Sequence, residues 1–180
     1  TLRSAQYATH NSQSMNLERE RLLNGDIFDT ERSKALVDLF RNVWLSKRLS
    51  VDERNDIIAF VEDSGVELTA RQMVVSALML KCLRTYDRSV VAIFLNLLDE
   101  VEAQVRARVM VGLLMVLALH SGRIERDSEL SEQVKALFAN ERFSSDADKA
   151  YKHIINTFGT DKVTKKITTE IYPKIFKSGA

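Results

Sequence analysis

Apolar residues recur along this chain at helical spacing, with polar positions between them. Leu36, Val37, Leu39, Phe40, Val43 and Trp44 fall at i, i+3, i+4 and i+7, which predicts a helix capped by Thr30. Ser50-Val51-Asp52-Glu53 has the capping-box pattern: the serine accepts from the third helical N–H while the glutamate reaches back. The helix it opens carries Ile57, Ile58, Phe60 and Val61 and ends near Ser64-Gly65. Thr69-Ala70-Arg71-Gln72 reads as a second box. The helix after it is apolar on nearly every side, from Met73 through Cys82 and Leu83, and is expected to be buried between neighbours. Asp87 or Ser89 caps the next, with Val90, Val91, Phe94, Leu97 and Leu98. A long helix from about Ala103 to His120 then stops at Ser121-Gly122. A polar loop with Arg123, Glu125, Arg126 and Asp127 leads to a helix with Leu130, Val134, Leu137 and Phe138. Ser144 or Ser145 caps another, with Tyr151, Ile154, Ile155 and Phe158, closed by Gly159. A short helix over Met15 to Leu23 precedes the set, and an amphipathic one follows from about Asp161 to a stop or kink at Pro173. No useful stretch alternates with period two. The expectation is an all-α chain of seven to nine helices with short connections, as an α-solenoid or a compact bundle.

The pattern also repeats. Ala59-Phe60-Val61-Glu62-Asp63 is echoed by Asn96-Leu97-Leu98-Asp99-Glu100, and Arg71-Gln72-Met73-Val74-Val75 by Arg108-Val109-Met110-Val111-Gly112. Both echoes are offset by 37 positions, 59 to 96 and 71 to 108. One constant offset over two blocks points to a duplicated helix pair, a period that suits a stacked array.

At the turn between the paired helices the sequence resembles HEAT repeats. Leu97-Leu98, then Glu100, then Val105-Arg106 with Val109, Leu113 and Leu114 fit that family's pattern. In the earlier copy Phe60-Val61, Asp63 and Leu68 agree, while Thr69 stands where arginine is expected; the family's proline in the first helix is missing from both copies. The match is best over residues 57–119. It implies an α-α superhelix of antiparallel helix pairs, used in most of the family as a protein-binding scaffold and in a minority to bind nucleic acid. Its hydroxylases carry paired His-Glu metal motifs, and no His-Glu pair occurs here.

Composition narrows the picture a little. Charged residues make up 28% and apolar residues 45% of the 180, a globular balance and not a disordered one. The formal net charge is +1, so nucleic-acid or membrane-surface binding would need a local basic patch. The single cysteine, Cys82, leaves no disulfide framework and weakly favours a reducing, cytoplasmic setting. No signal-peptide pattern is visible, but the chain begins with Thr1 and is expected to be a fragment of a larger protein. The longest apolar run, the 11 residues Val109 to Leu119, falls short of the roughly 20 that a membrane span needs. We therefore read it as a buried core helix. Residues 1–14 form a polar N-terminal segment, and 15–180 a single helical repeat domain.

Candidate chemistry is sparse. The acidic residues Asp63, Asp99 and Glu100 sit at helix ends where the macrodipole disfavours them. They are expected to serve as structural repeat-turn charges with Arg71, Arg106 and Arg108, rather than as catalytic carboxylates. His10, His120 and His153 are not spaced for a metal. Cys82 lies in the most apolar helix, where burial makes a thiol inert. Met73, Met79, Met110 and Met115 read as core filler rather than an adaptable groove. Trp44, with Arg41, Lys47 and Arg48 nearby, is the best local contact surface. Lys162, Lys165 and Lys166 share one side of the last helix in the most basic region. No phosphate loop, dinucleotide fingerprint or nucleophile elbow is present. The reading is a non-enzymatic helical-repeat scaffold without cofactor or metal, binding a protein partner or another domain of its own chain. The alternative is a nucleic-acid-binding repeat that uses the C-terminal lysine face.

Overall fold

The computed structural model describes residues 30–100, 102–158 and the single position 169. The helices expected at Met15 to Leu23 and from Asp161, and the Gly159 stop, lie outside the described residues. Seven helices follow in order among them: α1 (Thr30–Leu45), α2 (Val51–Glu62), α3 (Leu68–Arg84), α4 (Arg88–Glu100), α5 (Ala103–Ile124), α6 (Ser128–Ala139) and α7 (Glu141–Phe158). No strand occurs among the described residues. The fold is all-α.

Local chemistry sets most boundaries. Ser50 Oγ accepts from the Glu53 N–H (3.2 Å) and Glu53 Oε2 accepts from the Ser50 N–H (2.8 Å), so the capping box of α2 closes as its sequence predicts. Asp87 does the same work before α4, its Oδ1 accepting from the Ser89 N–H at 3.0 Å. Ser50 and Asp87 stand 37 positions apart, as do the first residues of α2 and α4, Val51 and Arg88.

Two expected boundaries are corrected. Thr69 caps nothing: α3 begins at Leu68, and its N-cap Glu67 makes no side-chain cap bond. Burial of Val66 and Ala70 on either side fixes that earlier start. Ser144 and Ser145 lie inside α7, which Asn140 caps instead by accepting from the Phe143 N–H at 3.2 Å. The N–H of Asn140 also closes α6 on Leu137 O, so one residue ends a helix and starts the next. Helix α5 leaves helical geometry at His120 (φ −120°, ψ 19°) and resumes to Ile124. The break at His120 falls where the sequence places the end of this helix, and one further helical turn follows it.

The boundary between two compact units falls at Val109/Met110, inside α5. In the first unit α1 packs chiefly on α3, and α2 on both α4 and α3. Lys81 and Arg84, in the last turn of α3, reach carbonyls at the end of α1, so these two helices run in the same direction. Arg71 at the start of α3 reaches Glu102 just before α5, and Arg108 of α5 donates to Ser76 of α3 at 2.8 Å. Alternate helices therefore lie side by side, α1 on α3 and α2 on α4, while α3 and the start of α5 are tied by these arginine side chains. Leu39, Ile57, Leu78, Phe94 and Leu97 are fully buried at the heart of this unit. Each such side chain stabilises it by roughly 1.5–3 kcal/mol.

In the second unit α6 packs on α7. Phe138 and Phe143 meet edge to face there, with centroids 5.1 Å apart. Among the described residues α5 is the helix that meets the length and composition for a membrane span. Val105, Val109, Leu113, Val116 and Leu117 are buried along one side of it, while Leu119 is 55% exposed.

Candidate functional site

A lysine in an apolar helix organises the candidate site. Lys81 interrupts the apolar run of α3 and is buried with its ammonium. The ammonium donates to Ser46 O at 3.0 Å and also to Lys47 O, the carbonyls just past the end of α1. It also lies 3.2 Å from Asp87 Oδ2, both side chains being 5% exposed. That contact is an ion pair off hydrogen-bond direction, since Oδ2 receives no hydrogen bond. One turn on, Arg84 Nη2 donates to Trp44 O at 3.3 Å. The end of a helix leaves carbonyls unpaired and carries partial negative charge. Here α3 supplies two cations across the gap to answer it. Ser46 Oγ closes one more carbonyl, Val43 O, at 2.8 Å.

A cleft of about 470 Å³ opens over this platform. Its walls come from the turn after α1 (Leu45, Ser46, Lys47, Arg48), the end of α3 (Lys81, Arg84) and the turn into α4 (Thr85 to Arg88). Five of these ten lining residues are cationic and one, Asp87, is acidic. Asp87 is already committed to Lys81 and to the start of α4. Lys47, Arg48 and Arg84 are exposed, and none has an acidic partner among the described residues. Leu45, 49% exposed, adds an apolar wall beside the cations.

Cys82 lies next to Lys81 and is fully buried. Burial pushes its thiol pKa up, and a hydrogen bond from the Asp87 backbone partly offsets this; Sγ itself donates weakly to Asp87 O at 3.8 Å. Such a thiol is a packing group, not a nucleophile.

The residues expected from sequence to matter separate into three groups. Trp44 is half-buried against Phe40, with ring centroids 6.0 Å apart, and its backbone carbonyl accepts from Arg84, which lines the cleft. Arg48 lines the cleft, whereas Arg41 is exposed elsewhere on α1. Lys162, Lys165 and Lys166 lie outside the described residues. Among the repeat-turn charges, Arg71 is buried and pairs with Glu102 at 2.9 Å, just past the acidic doublet. Asp63 folds its own turn, Oδ1 accepting from the Gly65 N–H at 2.9 Å. Asp99 and Arg108 are exposed and Arg106 is half-buried. Neither His120 nor His153 lines the cleft, and no group of metal-ligating side chains converges among the described residues.

Sequence reasoning missed Lys81, Arg84 and Asp87 as a group. The signal was present: one lysine inside the most apolar helix, whose charge needs a partner within reach. Compared with known proteins, the chain matches no family model, no curated protein and no solved structure.

Proposed function

We propose that this chain is a non-enzymatic helical-repeat scaffold whose helix pairs stack as an HEAT-like α-α superhelix and whose surface binds a protein partner. The observation that carries the reading is the packing of alternate helices in register with the 37-residue repeat: α1 on α3, α2 on α4, and matched caps at Ser50 and Asp87. Stacked pairs bury a continuous core and leave their turns and outer faces free for contact, the geometry that repeat proteins use for binding. The exposed cationic cleft gives that surface a chemically distinct place.

The test is cross-linking of the intact chain in a native extract, followed by identification of the linked peptides. Links that concentrate on the turns after α1 and α3 and recur with one protein support the reading. Recovery of nucleic acid instead, lost as salt rises, would replace it with the nucleic-acid reading.

A further inference from the structure

We propose that the cleft between the turn after α1 and the turn after α3 docks an acidic peptide segment of a protein partner. This rests on the protein-binding reading above and names the chemistry of the partner. Three observations converge. The cleft's floor is charge-balanced: Lys81 and Asp87 are buried and neutralise each other, so neither adds net charge to the rim. The rim carries Lys47, Arg48 and Arg84, exposed and without an acidic partner among the described residues. Its volume, about 470 Å³, takes a few side chains and not a whole domain.

The kind of anion follows from the donors and the walls. Guanidinium groups present planar forks that match an oxyanion two bonds at a time. Carboxylates and phosphorylated side chains share that chemistry. Leu45 and the aliphatic stems of the lysine and arginines give apolar contact between the charges. An extended segment in which acidic and apolar side chains alternate meets both demands. A nucleic-acid backbone fits less well. It needs a stripe of cations along a surface, and the cations here are gathered in one cleft of a chain whose net charge is +1.

The test titrates the full chain with a fluorescent peptide of alternating glutamate and leucine, at low and at physiological salt. A second arm uses the same peptide with one phosphoserine. Further arms use a glutamine-for-glutamate control peptide, inorganic phosphate alone, and a single-stranded RNA of equal charge. The variants are Lys47→Gln with Arg48→Gln, both exposed, and as a control Lys135→Gln, exposed on α6. The acidic peptide is expected to bind, and the paired variant to weaken it about tenfold or more, with Lys135→Gln unchanged. Amide shifts on binding should centre on residues 45–48 and 84–88. Stronger binding of the phosphorylated arm would assign the anion as phosphate on a peptide; equal binding would assign it as carboxylate.

The proposal falls if neither peptide binds, if the paired variant binds as well as the native chain, or if only RNA binds and needs Lys47 and Arg48. Salt-sensitive self-association abolished by the paired variant would also overturn it, by giving the cleft to a second copy. Cross-links to one protein that persist in the paired variant would sink the cleft alone and leave the scaffold reading standing. Loss of every protein link from the native chain would sink the scaffold reading itself.

Discussion

Replacing Lys81 with methionine should unfold the first unit more easily than any surface change. Methionine keeps the buried stem and removes the ammonium. Asp87 would then be a buried carboxylate whose Oδ2 has lost its counter-charge, while Oδ1 keeps the Ser89 N–H. Breaking a buried ion pair by removing one partner costs about 3–5 kcal/mol. The carbonyls of Ser46 and Lys47 lose a donor as well, but they border an open cleft where water can replace it, so they add little. For a chain of this length, about 3–5 kcal/mol corresponds to a fall in Tm of roughly 6–20 °C. Trp44 is the sole tryptophan and its own carbonyl is bound by Arg84, so its fluorescence through a urea titration reads this region directly. The double variant Lys81→Met with Asp87→Asn should recover at least half the loss, because asparagine still caps α4 and no charge is left buried. A loss below about 1 kcal/mol for Lys81→Met, or a double variant less stable than the single one, would refute the assignment of Lys81 as the pivot.

Three other outcomes follow from the same structure. Ser50→Ala removes half of the capping box and should cost about 1 kcal/mol by urea titration, with Ser50→Asp close to neutral. Glu102→Ala should destabilise more than Arg71→Met. The first leaves a buried guanidinium unpaired; the second also relieves Arg71 Nε, a buried donor with no acceptor. Glu102 is 50% exposed, so solvent screening holds the coupling in a double-mutant cycle below about 1 kcal/mol. Cys82 should react with a thiol reagent at pH 8 only as fast as the unit opens. Its pKa is raised in the folded state, so the unfolded chain loses the proton first, and stability should decline as pH rises through the ordinary thiol value of 9.0. A fast reaction in the folded protein would show the thiol to be accessible.

The helices were legible because the apolar spacing that writes them is local. Ser50, Asp87 and the row from Leu36 to Val43 announced themselves within a turn or two. Thr69 and Ser144 misled for the opposite reason. A cap motif is a local preference, and burial of Val66, Ala70 and Phe143 placed the boundaries elsewhere. The cleft was legible only in part. Lys47 and Arg48 drew notice beside Trp44, but Lys81 and Arg84 meet them across more than thirty positions, and spacing within one helix carries no trace of that. The repeat-turn arginines show the same limit. Arg71 was recognised as a structural charge, yet its partner is Glu102, which lies outside the echoed block.

The repeat also explains why the net charge of the chain says so little. Stacking alternate helices in parallel gathers like ends on one edge of the first unit. On the edge with the cleft, α1 and α3 end while α2 and α4 begin. Endings call for cations and beginnings for oxygen acceptors. Lys81 and Arg84 answer the first, Ser50 and Asp87 the second. The opposite edge holds Glu62, Asp63 and Glu67 at one turn and Asp99 and Glu102 at the next, with Arg71 linking the two. The edge with the cleft is thus the more basic of the two, a local asymmetry that the +1 total of all 180 residues does not reveal. Capping accounts for Lys81, Arg84 and the acceptors. It does not account for Lys47 and Arg48, which cap nothing among the described residues and stay in solvent. Two cations beyond what the helix ends require, set on the rim of a ready-made cleft, are the part of this surface that folding leaves unexplained and that a ligand would explain.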